Sequence, residues 1–203
     1  MSVLEITLIL LGYLSGAVPY GYLLTKKVTG LNILEQGSGN IGSTNVGRVA
    51  GKKIALLVQV LDMLKGLLPV VIVILLRKSD QLICADYFPP AVALSSVLGH
   101  NFSIFLWFRG GKGVNTTLGA TLLLAPVAVL CSVAVYFAAR WRFKYVSAGS
   151  LALAVSLPLS GIVFQPGPLL EMYLLICCCL IVIRHIPNLK RLIGGNELPQ
   201  NPI

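Results

Sequence analysis

The chain has 203 residues, of which 56% are hydrophobic and 11% charged, and its mean hydropathy of +0.86 lies well outside the range of a water-soluble domain. A formal charge of +9 suits nucleic acid, lipid headgroups or small phosphorylated molecules, but no stretch is long enough to fold a soluble basic surface beside the apolar segments, which excludes a nucleic-acid reader. The five cysteines (Cys84, Cys131, Cys177, Cys178, Cys179) are odd in number and lack metal-ligand spacing, so they read as small buried hydrophobes rather than a disulfide framework or a zinc site.

Apolar segments cover residues 3–25, 54–76, 87–108, 116–139, 145–164 and 169–183. A helix needs about 20 apolar residues to cross a bilayer, so each is a candidate span. The first has Glu5 rather than a Lys or Arg near its start and reads as a retained helix, not a cleaved leader. Six crossings, however, place the basic run Arg140-Trp141-Arg142-Phe143-Lys144 outside together with the basic C-terminal tail. If residues 116–139 enter and return as two short helices, bending near Ala125-Pro126, the positive-inside rule is satisfied. Lys26, Lys27, Arg48, Lys52, Lys53, Arg109, Lys112, Arg140, Arg142, Lys144, Arg184, Lys190 and Arg191 then share the cytoplasmic side, and only Arg77 and Lys78 lie outside. The expected fold is therefore all-α and polytopic, with about seven membrane helices in one domain over residues 1–203, the N-terminus outside and the C-terminus cytoplasmic. No internal repeat or linker divides it.

Three polar connections exceed what a connector needs. Residues 37–48 read Gly-Ser-Gly-Asn-Ile-Gly-Ser-Thr-Asn-Val-Gly-Arg, in which successive N–H groups, the hydroxyls of Ser38, Ser43 and Thr44, and the Arg48 guanidinium suit a phosphate cradle; a solvated Gly-rich turn is the plainer reading. Gly37, Gly39 and Gly42 match G-x-G-x-x-G, but that fingerprint requires a preceding strand. Residues 99–116 set Arg109 and Lys112 among Gly110, Gly111 and Gly113, presenting two cations from a tightly turned backbone. A Walker A loop is disfavoured because Gly113 follows the lysine. His100 alone reads as a packing residue, and Phe102, Phe105, Trp107 and Phe108 as an interfacial belt or, less simply, the lining of an acyl groove. In residues 184–197 the cations read as a positive flank, which leaves His185, Asn188 and Glu197 to be explained. Asp62 and Lys65, three apart in the second span, lie on one helical face and read as a mutual ion pair.

Together these loops resemble the acyl-phosphate:glycerol-3-phosphate acyltransferase family of bacterial phospholipid synthesis. Residues 38–48, 99–116 and 184–197 match its three motifs in order, and Asp62, Lys65 and Gly66 its second-helix pattern. The departures are Ser43 and Asn115 where the family often has Ala, Ser103 for Pro, Gly47 for a larger apolar residue and Arg109 for Lys; none deletes a reactive group.

The resemblance implies transfer of an acyl group from acyl phosphate to glycerol 3-phosphate, giving lysophosphatidic acid and inorganic phosphate, at the cytoplasmic face of the bacterial inner membrane. It assigns Ser38, Arg48, Lys112 and His185 to catalysis. Gly39, Asn40, Gly42, Thr44, Asn45, His100, Arg109, Gly110, Gly111, Gly113, Asn188, Arg191 and Glu197 are assigned to substrate binding, with Asp62 and Lys65 in support. No cofactor or metal is implied; the partners are the two substrates and the lipid bilayer, with no nucleic acid, and protein partners stay open. An acyl phosphate is a mixed anhydride with a good leaving group, so direct attack needs no covalent intermediate, and neither a Ser-His-Asp order nor a G-x-S-x-G elbow is present. The proton acceptor stays open between His185 and a substrate phosphate. The competing reading is a small transporter or flippase for a phosphorylated solute, which broken helices and embedded charge also fit; a scaffold leaves the polar loops unexplained.

Overall fold

Ser2 and Glu5 start the first helix with a capping box: the Ser2 N–H donates to Glu5 Oε2 at 2.7 Å and the Glu5 N–H to Ser2 Oγ at 3.2 Å. The computed structural model describes residues 2–198, and among these every regular element is helical. α1 (Val3–Ala17) and α2 (Tyr20–Thr29) make one apolar run broken at Pro19, where the sequence suggested a continuous helix. Proline removes a donor from the helical ladder. The carbonyls left over at the break are taken by neighbouring side chains, Lys65 Nζ donating to Val18 O at 2.9 Å and Ser103 Oγ to Ala17 O at 2.5 Å.

A 3-10 turn (Ile33–Glu35) and α3 (Ser43–Ala50) lead into α4 (Lys52–Lys78). Pro69 lies inside α4, and the carbonyl it deprives, that of Lys65, accepts from Ser15 Oγ at 3.0 Å instead. α5 (Phe88–Asn101) ends earlier than the apolar segment 87–108 suggested, because residues beyond it turn through a 3-10 element (Ile104–Leu106) into the glycine loop. α6 (Val114–Thr121) and α7 (Pro126–Phe143) are separated by residues 122–125, directly before Pro126, where the sequence placed the bend. Only α6 is short; α7 runs for 18 residues, which corrects the expectation of two short helices. α8 (Val146–Phe164), α9 (Pro168–Arg184) and α10 (Ile186–Ile193) complete the described residues.

Val3–Thr29, α4, α7 and α8 are each long and apolar enough to cross a membrane, and α9 with α10, bent by 56°, makes a fifth candidate. α5 and α6, at 14 and 8 residues, are too short to span in contact with lipid. Both are sheathed by protein: α6 is buried from Thr116 to Thr121, and a Cβ on Gly119 would collide with the Met63 carbonyl of α4, as one on Gly66 would with the Thr116 carbonyl. Small residues thus let α4 and α6 touch backbone to backbone, the usual packing of helices in lipid. Outward faces stay apolar, with Leu10, Leu68, Leu130, Phe137 and Leu159 exposed, while Val97, Leu153, Leu157 and Leu174 fill the core.

Two ends of the bundle are distinct. Leu8, Leu82 and Phe88 cluster at one, where the Ala128 N–H also donates to Gln165 Oε1 at 3.4 Å. The other collects residues 30–51, 102–113 and 184–198, and Ser147 at the start of α8 reaches Glu197 there. Residues 114–143 therefore leave this end and return to it, so the basic turn after α7 stands on the same side as the three polar loops.

Candidate active site

The first loop is organised around one amide. Asn45, buried in the first turns of α3, accepts the Ser38 N–H on Oδ1 at 2.9 Å and donates from Nδ2 to Gln36 O at 2.9 Å and Asn40 O at 3.0 Å. Gly37 and Gly39 adopt positive φ, which lets the chain fold round the Asn45 side chain. Asn40 Oδ1 accepts the Gly42 N–H at 2.9 Å and so sets the start of α3. Asn45 is thus spent on protein partners, while Ser38 and Thr44 remain half-exposed at the loop surface. Asn45→Ala leaves the Ser38 N–H and the Asn40 carbonyl without their partner, while Gln36 O keeps the Gly39 N–H, at about 1–3 kcal/mol for each group left unpaired. We expect a lower unfolding midpoint in detergent together with a loss of activity, and Asn45→Asp, which keeps only the acceptor, to fall between.

The second loop is held from two sides. Beneath it, the Gly111 N–H donates to His100 O at 3.0 Å, and the His100 ring lies against the Gly111 Cα, leaving no room for a Cβ. His100 is 4% exposed and rests on the pair Asp62 and Lys65, 2% and 3% exposed, whose Nζ and Oδ1 are 2.9 Å apart. The His100 Nδ1 is 3.7 Å from Asp62 Oδ1, near enough for charge to matter but too far for a hydrogen bond. These three side chains therefore back the loop and do not line the cavity. Above it, Arg184 donates from Nε to Gly111 O at 2.9 Å and from Nη2 to Gly110 O at 2.6 Å, with Phe102 stacked 5.6 Å from the guanidinium. From the sequence Arg184 reads only as a flanking cation; a lone arginine before His185 gives no signal that its partners are backbone carbonyls. Gly113, at φ +86°, turns the chain into α6 beside Asn101, a fully buried amide whose two polar atoms have no partner among the described residues.

The third loop closes the site. His185 Nδ1 lies 2.8 Å from Ile181 O; a carbonyl only accepts, so Nδ1 carries the proton and Nε2 keeps its lone pair. Glu197 receives Asn188 Nδ2 at 2.6 Å and Arg191 Nε at 2.9 Å, and Arg48 Nη2 donates to the Leu198 carbonyl at 3.2 Å. Burial works against the Glu197 carboxylate, but hydrogen bonds from Asn188 and Arg191, with the nearby Ser147 hydroxyl and the Arg191 charge, hold its carboxyl below the usual range. Asn188 Oδ1 is buried with no partner among the described residues.

Between the loops lies a cavity of about 320 Å³ lined by Leu34, Gly39, Asn40, Phe108, Arg109, Gly110 and Arg184. Lys112 is pushed down to about 8 by burial and by the charges of Arg191, Arg48 and Arg184, with Glu197 opposing. His185 is pushed down to about 4 by burial and the Lys112 charge, against the Ile181 carbonyl and Glu197. The expected site residues Arg48, Lys112, His185, Arg191 and Glu197 thus feel one another's charge, whereas Asn45 lies inside its own loop. Among the described residues no cluster of three or more His, Cys, Asp or Glu could hold a metal ion. Such a concentration of cations and hydroxyls suits phosphate-bearing ligands.

A family profile described as glycerol-3-phosphate acyltransferase matches residues 6–195. The glycerol-3-phosphate acyltransferase of Clostridium acetobutylicum is 42% identical over 196 residues, 96% of this chain and 99% of that one, and that of Syntrophotalea carbinolica is 40% identical over 190 residues, 94% of each. Among solved structures, the glycerol 3-phosphate form of PlsY (YgiH), an integral membrane glycerol 3-phosphate acyltransferase, superposes with a TM-score of 0.87 at 34% identity, covering 96% of this chain and 94% of that one. Its lysophosphatidic acid form gives a TM-score of 0.84.

Proposed function

This chain belongs to the glycerol-3-phosphate acyltransferase family, and from that premise and the site geometry we propose that it transfers an acyl group from acyl phosphate to the sn-1 hydroxyl of glycerol 3-phosphate. The products are lysophosphatidic acid and inorganic phosphate, and the step begins phospholipid synthesis. The observation that carries this reading is the convergence of Arg48, Lys112 and Arg191, one from each of the three polar loops, on one end of a lipid-embedded bundle. Both substrates bear phosphate, and only clustered fixed cations hold two such groups together against their repulsion.

In the reaction the acceptor hydroxyl attacks the acyl carbonyl, the new ester C–O bond forms, and the bond to the phosphate oxygen breaks. Lys112 and Arg109 meet the charge that grows on the leaving phosphate. Ser38, anchored through Asn45, adds a hydroxyl donor. Arg48, His185 and Asn188 position the acceptor, with the free Asn188 Oδ1 available to a glycerol hydroxyl. The proton leaves to His185 Nε2 or to a phosphate oxygen. We place the site at the cytoplasmic face of a bacterial inner membrane, with seven membrane helices (α1–α2, α4, α5, α6, α7, α8 and α9), the short α5 and α6 sheathed by the others, and the N-terminus outside, in keeping with the cations gathered at that end.

Lys112 supplies a pH signature. It is charged below its value of about 8 and neutral above, so kcat/KM, which reports the free enzyme, should fall as pH rises through that region. A pH profile of initial rates checks this, and the residual rate of Lys112→Arg should lack the alkaline limb.

Purified protein in detergent should form lysophosphatidic acid from palmitoyl phosphate and glycerol 3-phosphate. In sealed vesicles, external glycerol 3-phosphate should react only where the cytoplasmic face is outward. Accumulation of unchanged substrate inside vesicles, with no product in detergent, points to transport instead.

A further inference from the structure

We propose that Arg184 is a positioning residue for acyl transfer, holding the Gly110-Gly111 segment so that Lys112 stands at a fixed distance from His185. This rests on the acyltransferase reading and adds a role to a side chain that otherwise passes for a membrane-flanking cation.

Two consecutive carbonyls, Gly110 O and Gly111 O, point at one guanidinium, at 2.6 Å from Nη2 and 2.9 Å from Nε. Adjacent peptide units rarely aim their carbonyls at one donor, and the parallel N–H groups of an arginine fork match that arrangement where a lysine's single ammonium does not. The fork leaves no slack on the other side. Gly111 N–H is bound to His100 O, and a Cβ at Gly111 would strike the His100 ring, so the loop is pinned between α5 and α9. Phe102 covers the face of the guanidinium.

The consequence is a short closed path through the site. Lys112 follows the pinned residues directly, and Arg184 is bonded through one peptide to His185. Movement of Lys112 relative to His185 therefore requires breaking the fork or the Gly111–His100 bond. Misplacing a catalytic group by an ångström costs on the order of 100-fold in rate. The charged groups that face Lys112 are Glu197, Arg191, Arg48 and Arg184, so removing the Arg184 charge also lifts one of the cations that depress it.

The test measures kcat, KM for glycerol 3-phosphate and the pH profile for wild type, Arg184→Lys and Arg184→Ala in detergent. Expected are falls in kcat of about 10- to 100-fold in both variants with KM changed less than about threefold. The alkaline limb should move to higher pH in Arg184→Ala and stay in place in Arg184→Lys. Millimolar guanidinium, but not methylammonium, should restore Arg184→Ala. Wild-type turnover with Arg184→Lys within twofold of it, or an inactive Arg184→Ala that guanidinium does not restore, overturns the positioning role alone. Absence of wild-type turnover overturns the acyltransferase reading and this role with it.

Discussion

Lys112→Ala is expected to reduce kcat/KM for acyl transfer by about 1,000-fold, close to 4 kcal/mol of transition-state stabilisation. Lys112 is the cation at the centre of the Gly-Gly-Lys-Gly turn, half-buried and surrounded by Arg48, Arg184 and Arg191. Its ammonium is held there against burial and like-charge repulsion, which is worthwhile only if an anion occupies the site during turnover. Because the free protein gains nothing from that charge, alanine should leave the unfolding midpoint unchanged or raise it. Arginine keeps the charge but needs room for a planar fork where Gly111 and Gly113 crowd against His100 and Asn101, so Lys112→Arg should recover little. Initial rates and thermal unfolding on the same preparations measure both effects. A variant within tenfold of wild type would show that phosphate is held elsewhere.

The second large effect concerns stability. Asp62→Ala should destabilise the protein by about 3–5 kcal/mol, because it leaves the Lys65 ammonium buried in the bundle without its carboxylate. Lys65 also donates to the Val18 carbonyl and stands 5.7 Å from the Tyr20 ring, so its charge is fixed where Pro19 breaks the first span. The double variant Asp62→Leu/Lys65→Met removes both charges at similar volume and should lose much less than Asp62→Ala. Unfolding midpoints of the two proteins in one detergent decide this. If the double variant is the less stable, the pair is needed as an ionic strut for the α1–α2 break and not merely tolerated.

Much of the site was legible because its chemistry is carried by residue types that loops seldom need. Arg109 and Lys112 stand out as cations among glycines and His185 as an imidazole beside Arg184, and the structure brings their loops to one end of the bundle. The basic turn 140–144, which a charge rule put on the same side as the polar loops, stands at the site end, since residues 114–143 depart from and return to it. What sequence left unread are roles set by backbone geometry. Asn45 looks like any polar loop residue until its amide is seen tying Ser38 N–H to the Gln36 and Asn40 carbonyls. Arg184 looks like a membrane flank until its fork meets two glycine carbonyls. His100 shared a motif with Lys112, yet its place is under Gly111, because only a glycine lets the loop pack on its ring. The broken first span was likewise hidden: Pro19 was visible, but the side chains that compensate it, Lys65 and Ser103, lie 46 and 84 residues further along the chain.

The most direct measurement is the donor dependence of lysophosphatidic acid formation by the purified protein, with glycerol 3-phosphate fixed and either palmitoyl phosphate or palmitoyl coenzyme A supplied. Product from palmitoyl phosphate, with one inorganic phosphate released per molecule formed and little or none from the thioester, is the predicted result. Product from the thioester alone would contradict the phosphate-leaving-group mechanism, and the cation cluster would then need another ligand.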